Sequence, residues 1–130
     1  MRDDSYLDKS LGFIWQNYFA DVPVKNKVLI RFGRSALYRF GSIRLRHRDK
    51  STQITINGRF RDERYPPEII DHTIAHELVH YAQGFSTPGP RLSRYPHRGG
   101  VIDKELKNRG LYNLVDFYKS WVKDYINSLK

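Results

Sequence analysis

The segment His76-Glu77-Leu78-Val79-His80 decides how the rest of the chain is interpreted. On an α-helix, residues four apart lie on one face, so both imidazole rings can reach a single metal ion. Glu77 follows His76 by about 100° around the helix axis, so its carboxylate lies beside that ion. There it can accept a proton from water. Two nitrogen ligands beside a carboxylate base are the components of a zinc-dependent hydrolytic site.

Signals on either side of this motif predict a helix over residues 67–83. Pro66-Pro67-Glu68 is typical of a helix start, because proline is tolerated in the first turn and an acidic residue suits the positive end of the helix dipole. Gly84 falls where a C-terminal cap is expected. Between these signals the apolar residues form a wide stripe: Ile69, Ile70, Ile74, Ala75, Leu78, Val79 and Ala82.

Helices and strands are also predicted on both sides of the motif helix. The predicted helices cover residues 5–20, 100–109 and 112–128, and the predicted strands cover residues 28–32, 37–47 and 52–58. The last helix is strongly amphipathic, which favours packing on the core rather than a groove for a partner. Strands and helices that do not alternate regularly indicate an α+β fold.

A catalytic zinc site usually has three protein ligands and one open position. His97 is the candidate third ligand, because the segment 84–96 is rich in turn-forming residues that can return the chain to the helix. Glu105 is the competing ligand. Beside His97, Tyr95 and Arg98 are candidate donors to the oxyanion that forms during hydrolysis.

His72 lies one helical turn before His76. It could be a further ligand or support one, but a position one turn away from the metal favours an ordinary exposed or hydrogen-bonded histidine.

The composition narrows the class of protein. The chain has 130 residues, enough for one domain with its own core, and it has no cysteine, which excludes disulfides and fits a reducing compartment. Its first residues are charged and polar, unlike a signal peptide, and no run approaches the roughly 18 apolar residues of a membrane span. We therefore expect a single domain over residues 1–130 that is cytoplasmic, nucleoid-associated or nuclear, is not secreted, and has no membrane partner.

Basic residues are concentrated in one part of the chain. The net charge is +9, and residues 31–64 hold ten Arg or Lys against three acidic residues. Arginines at alternate positions of a strand share a face, and such a row can follow a phosphate backbone. The candidate nucleic-acid contacts are Arg44, Arg46, Arg48, Arg59 and Arg61. Exposed aromatic residues such as Tyr38 or Phe40 could stack unpaired bases, which favours single-stranded DNA. The alternatives are a solvated basic surface or a preference for acidic peptides.

Four stretches together resemble the SprT-like domain, a group that includes the Spartan-type DNA–protein crosslink proteases. They are Gly41-Ser42-Ile43-Arg44-Leu45, Ile54-Thr55-Ile56-Asn57, Pro66-Pro67-Glu68-Ile69-Ile70-Asp71 and Ile74-Ala75-His76-Glu77-Leu78-Val79-His80-Tyr81. The resemblance covers residues 5–110. It implies a zincin-like fold with an N-terminal helix, a small three-stranded sheet, the active-site helix and C-terminal helices, the last of them over residues 112–128.

The resemblance also implies a role for each residue of the site. His76, His80 and His97 would bind one zinc ion per chain, and Glu77 would be the catalytic residue. In zincins an edge strand of the sheet pairs with an extended substrate, and residues 52–57 are the candidate strand.

The function implied is that of a zinc endopeptidase that cleaves proteins bound or crosslinked to DNA, and we expect it to be a monomer. Two alternatives stay open. One is a general zinc metallopeptidase without DNA dependence, and the other is a nucleic-acid-binding module with a non-catalytic zinc site.

Overall fold

The predicted helices and strands are all present in the computed structural model, which describes residues 1–84 and 100–130. The helices are α1 (Asp4–Tyr18), α2 (Pro67–Ala82), α3 (Val101–Asn108) and α4 (Tyr112–Ser128), with a short 3₁₀ helix at Gly58–Arg61. The strands are β1 (Val28–Phe32), β2 (Gly41–Leu45) and β3 (Thr52–Ile56). The α+β class is therefore confirmed, with one helix before the sheet and three after it.

The three strands form a mixed sheet in the order β1-β3-β2. The central strand β3 pairs in parallel with β1, where Ile30 faces Ile54, and antiparallel with β2, where Ile43 faces the same Ile54. A central strand has neighbours on both sides, so β3 cannot pair with a substrate. The prediction that residues 52–57 form the substrate-binding edge strand is wrong, and the edges of the described sheet are β1 and β2.

Helix α2 lies at the centre of the fold and is buried on most of its surface. It begins with Pro67 in the first turn, and it ends where the backbone N–H of Gln83 donates to the carbonyl of Val79 at 2.9 Å. Gly84 then adopts a positive φ of 88°, a conformation that glycine reaches without strain. The predicted bounds of the motif helix are confirmed to within one residue.

An aromatic cluster joins α4 to the loop before β2 and to the 3₁₀ helix. Phe40 makes edge-to-face contacts with Phe60 at 5.2 Å and with Tyr125 at 5.7 Å between ring centroids. Trp121 stacks on Tyr125 at 4.9 Å. The amphipathic stripe of α4 therefore packs on the core, as predicted. Phe40 is not the exposed base-stacking residue that we predicted, because it is partly buried and its ring packs in this cluster.

No helix within residues 1–84 and 100–130 combines the length and the apolar character needed to cross a bilayer.

Candidate active site

The two histidines of the motif face a common point. Their Nε2 atoms lie 3.2 Å apart, and their ring centroids are 4.9 Å apart. Two nitrogens bound to a tetrahedral zinc ion at its usual bond length would lie about 3.3 Å apart. The pair therefore has the spacing of two ligands of one ion. The same spacing allows a hydrogen bond between the two rings when no metal is present.

Glu77 lies beside this pair with its carboxylate largely removed from water. Its side chain is 6% exposed. Burial raises the pKa of Glu77 to about 7, and the positive charge of Arg39 acts in the opposite direction. A carboxylate whose pKa lies near neutral pH can both accept and return a proton, as a general base and acid must.

Glu77 and His76 line a small cavity of about 140 Å³ together with residues from other elements. The lining side chains come from the loop before β2, from the start of β2, from α2 and from α4: Tyr38, Phe40, Gly41, His72, Thr73, His76, Glu77 and Tyr118. Tyr38 is 68% exposed at its mouth, as predicted for this residue. His76 and Glu77 therefore open onto a polar and aromatic cavity.

Strand β2 approaches α2 closely because position 41 is a glycine. A Cβ added at Gly41 would lie 2.5 Å from Cγ2 of Thr73 and 3.3 Å from Oε2 of Glu77. The first distance is too short for two carbon atoms, so any larger residue would require β2 or the Thr73 side chain to shift. The absence of a side chain here sets how near the sheet lies to the Glu77 carboxylate.

His72 was predicted to be exposed or hydrogen-bonded, and the structure contradicts the first of these alternatives. It is 3% exposed, and its ring stacks flat on Tyr118 of α4 with 3.8 Å between centroids. Its Nε2 atom is buried and has no hydrogen-bond partner in the described part of the chain. Burial lowers the pKa of His72 to about 4, against the opposing charge of Asp103, so the ring is neutral at physiological pH.

The predicted third ligand, His97, and its neighbours Tyr95 and Arg98 lie outside the described residues. Glu105, the competing ligand, is engaged elsewhere: its carboxylate pairs with Arg109 at 3.2 Å, and it lines a different cavity from His76. Across residues 1–84 and 100–130, no three His, Asp or Glu side chains come together as a metal site. The described donor set is therefore the histidine pair.

The predicted row of arginines on β2 is not formed. The strand ends at Leu45, so Arg44 is its one arginine, whereas Arg46 and Arg48 belong to the following turn. Arg46 also lies 3.8 Å from the carboxylate of Asp49. The turn begins earlier than the sequence indicated, and strand alternation does not continue through it.

The two arginines of the 3₁₀ helix differ in their surroundings. Arg59 donates to the hydroxyl of Tyr65 at 3.3 Å and is partly buried. Arg61 is exposed, with its guanidinium 5.3 Å from the ring centroid of Phe32. Of the five predicted nucleic-acid contacts, Arg44, Arg48 and Arg61 are exposed to solvent, and Arg59 is committed to packing within the protein.

Two residues that shape the cavity were missed by sequence reasoning. Tyr118 belongs to the predicted stripe of α4, but nothing in the stripe shows which of its members reaches the motif helix. Gly41 lies at the start of a strand, where its lack of a side chain gains meaning only from the nearness of Thr73 and Glu77.

Comparisons of the chain with protein-family models, with curated protein sequences and with solved structures found no match.

Proposed function

We propose that this chain is a zinc-dependent endopeptidase of the SprT-like, zincin type. The observation that carries the proposal is the 3.2 Å separation of the His76 and His80 Nε2 atoms beside the buried carboxylate of Glu77. The donor set fits zinc, because neutral imidazole nitrogens are common zinc ligands and no harder oxygen cluster is grouped with them in the described part of the chain. His97 is proposed as the third ligand.

The chemistry divides between the metal and the protein. A bound zinc ion would supply a Lewis acid that polarises the scissile carbonyl and lowers the pKa of a water molecule. Glu77 would accept the proton of that water at its carboxylate and return it to the leaving amine. The positive charge of Arg39 favours the ionised form of Glu77, which is the form that a base requires.

We further propose that the substrates are proteins bound or crosslinked to DNA. The support is the charge of +9, its concentration in residues 31–64, and the exposure of Arg44, Arg48 and Arg61 there. The alternatives are a peptidase without DNA dependence, which would cleave equally well without DNA, and a binding module, which would hold zinc and DNA without cleaving.

Cleavage of casein, followed by mass spectrometry of the products, tests the proposal. The zinc-loaded wild type should cleave internal peptide bonds, and Glu77→Gln should lower the rate by at least about 100-fold with zinc retained, because only the proton acceptor is lost. Addition of single-stranded DNA should raise the wild-type rate if DNA-bound proteins are the substrates. Undiminished cleavage by Glu77→Gln would overturn the assignment of the base.

The ligand assignment has its own matched control. His80→Ala should lose the zinc ion, because two remaining ligands hold zinc poorly. His47→Ala changes a histidine in the turn after β2 and should retain one zinc per chain. Zinc content measured by mass spectrometry under native conditions distinguishes the two variants, and zinc retained at one per chain in His80→Ala would contradict the site.

A further inference from the structure

A second, larger cavity lies on the surface formed by α1, α4 and the N-terminal half of α2. Its volume is about 440 Å³. Two aromatic rings from different helices face solvent at it: Phe13 of α1 is 62% exposed, and Phe117 of α4 is 37% exposed. The other lining residues are Ile14, Tyr18, Glu68, Asp71, Gly110, Leu111, Asn113 and Leu114. We call this cavity the α1–α4 groove. It shares no lining residue with the cavity of His76 and Glu77.

Two carboxylates, Glu68 and Asp71, lie one turn apart along α2 at this groove. Neither makes an ion pair or a hydrogen bond with a side chain in the described part of the chain. Burial and the negative charge of Glu68 raise the pKa of Asp71 to about 6, and the charge of Arg2 acts in the opposite direction. Arg2 does not pair with Asp71, since its guanidinium donates to the carbonyls of Phe60, Asp62 and Tyr65.

This arrangement is unusual for a protein of net charge +9. Arginine and lysine are abundant in the chain, yet neither Glu68 nor the half-buried Asp71 forms an ion pair in the described part of the chain. A cation that reached the groove from another molecule would pair with Asp71 and would also relieve the repulsion between Glu68 and Asp71.

We propose that the α1–α4 groove binds a segment of another protein in which a bulky apolar side chain stands next to a lysine or arginine. The apolar side chain would pack between Phe13 and Phe117, and the cation would meet Glu68 and Asp71. A nucleic acid does not fit, because phosphates would face two carboxylates. A second copy of this chain is disfavoured, because two molecules of charge +9 repel one another. The inference does not depend on the proposed peptidase activity.

An NMR titration of the full chain tests this inference, with the Glu77→Gln variant used so that no probe is cleaved. The probe is acetyl-Phe-Arg-amide, and the matched control is acetyl-Phe-Glu-amide. Saturable shifts should centre on Phe13, Phe117 and Asp71. The acidic probe should bind at least about tenfold more weakly, because its carboxylate would face Glu68 and Asp71.

Two variants examine the two halves of the groove separately. Glu68→Gln combined with Asp71→Asn should weaken binding of the arginine probe about tenfold. Phe13→Ala should weaken binding of both probes. Both variants should fold, because the first replaces two side chains that form no ion pair in the described residues with amides of the same shape, and the second truncates an exposed ring. Thermal unfolding of each variant checks this.

Three results would overturn the inference. The first is an absence of saturable shifts, and the second is affinity unchanged by the double substitution. The third is concentration-dependent self-association, with shifts at the same residues in the absence of probe, which would assign the groove to a second copy of the chain. Because the titration measures binding and not cleavage, none of these results bears on the peptidase proposal.

Discussion

At the scale of single residues, His72 shows how burial changes what a histidine does. Its sequence position, one turn before His76, is that of a possible ligand or a surface residue. The fold instead stacks the ring on Tyr118 and keeps it neutral. The ring of His72 is therefore neutral in the folded protein, and it regains its usual pKa only when the protein unfolds.

This coupling predicts a pH dependence of stability. The pKa of His72 falls from its usual 6.5 to about 4 on folding. The contribution of the neutral ring to the free energy of unfolding is therefore fully present above pH 6.5, and it is lost as the pH falls through 4. The loss is up to about 3 kcal/mol. His72→Phe keeps a flat ring against Tyr118 and should remove that dependence. Urea denaturation of the metal-free proteins at pH 4 and pH 7 measures the difference, and parallel pH profiles would contradict it.

At the scale of elements, the contact between β2 and α2 controls the geometry of the site. The missing side chain of Gly41 lets β2 lie close to the side chains of Thr73 and Glu77 on α2. Because Gly41 does not have a positive φ, a substitution there causes steric clashes but no backbone strain.

A pair of substitutions tests this contact. Gly41→Ala should destabilise the protein by about 1–3 kcal/mol through overpacking and should lower any activity that depends on Glu77. Adding Thr73→Ser removes the clashing Cγ2 while keeping the hydroxyl that donates to the Ile69 carbonyl at 2.7 Å, so it should restore part of both losses. Gly12→Ala is the control, because a Cβ there meets no atom within 4 Å. The measurements are thermal unfolding and casein cleavage. No rescue by Thr73→Ser would refute the steric account.

The sequence predicted where the helices and strands lie along the chain better than it predicted which of them contact one another. Helix α2 was predictable because its apolar stripe, its prolines and Gly84 are local signals. The central position of β3 was not, because its parallel pairing with β1 joins residues distant in sequence, such as Ile30 and Ile54. The packing of Phe40 was missed for the same reason, since its partners come from α4 and the 3₁₀ helix.

The same distinction holds for the candidate site. The His76–Glu77–His80 geometry follows from helical periodicity, so the motif alone predicted it. The cavity walls come from β2 and α4, and no periodicity within α2 indicates that Gly41 or Tyr118 would meet it.

At the scale of the whole molecule, the exposed arginines and the acidic groove belong to different elements. Arg31 of β1 and Arg44 of β2 are exposed, whereas Glu68 and Asp71 of α2 line the α1–α4 groove. A nucleic acid and a basic peptide would thus be directed to different surfaces of one molecule.

Salt dependence of binding to a single-stranded oligonucleotide tests the basic surface. The combined change Arg44→Gln and Arg48→Gln removes two exposed charges and should reduce the slope of log Kd against log salt by about 1.4. Arg64→Gln is the matched control, because Arg64 already pairs with Asp62 at 2.7 Å and should change the slope little. Fluorescence anisotropy at several salt concentrations provides the slopes. Equal slopes for the double variant and the wild type would exclude these two arginines as phosphate contacts.

The measurement that tests the central claim most directly is a zinc titration of casein cleavage, starting from metal-free protein. We predict that activity rises with added zinc to an end point at one ion per chain, while Glu77→Gln binds the same single ion and stays inactive. Cleavage by metal-free wild type, or equal cleavage by zinc-loaded Glu77→Gln, would contradict the assignment of His76, Glu77 and His80 to a zinc peptidase site.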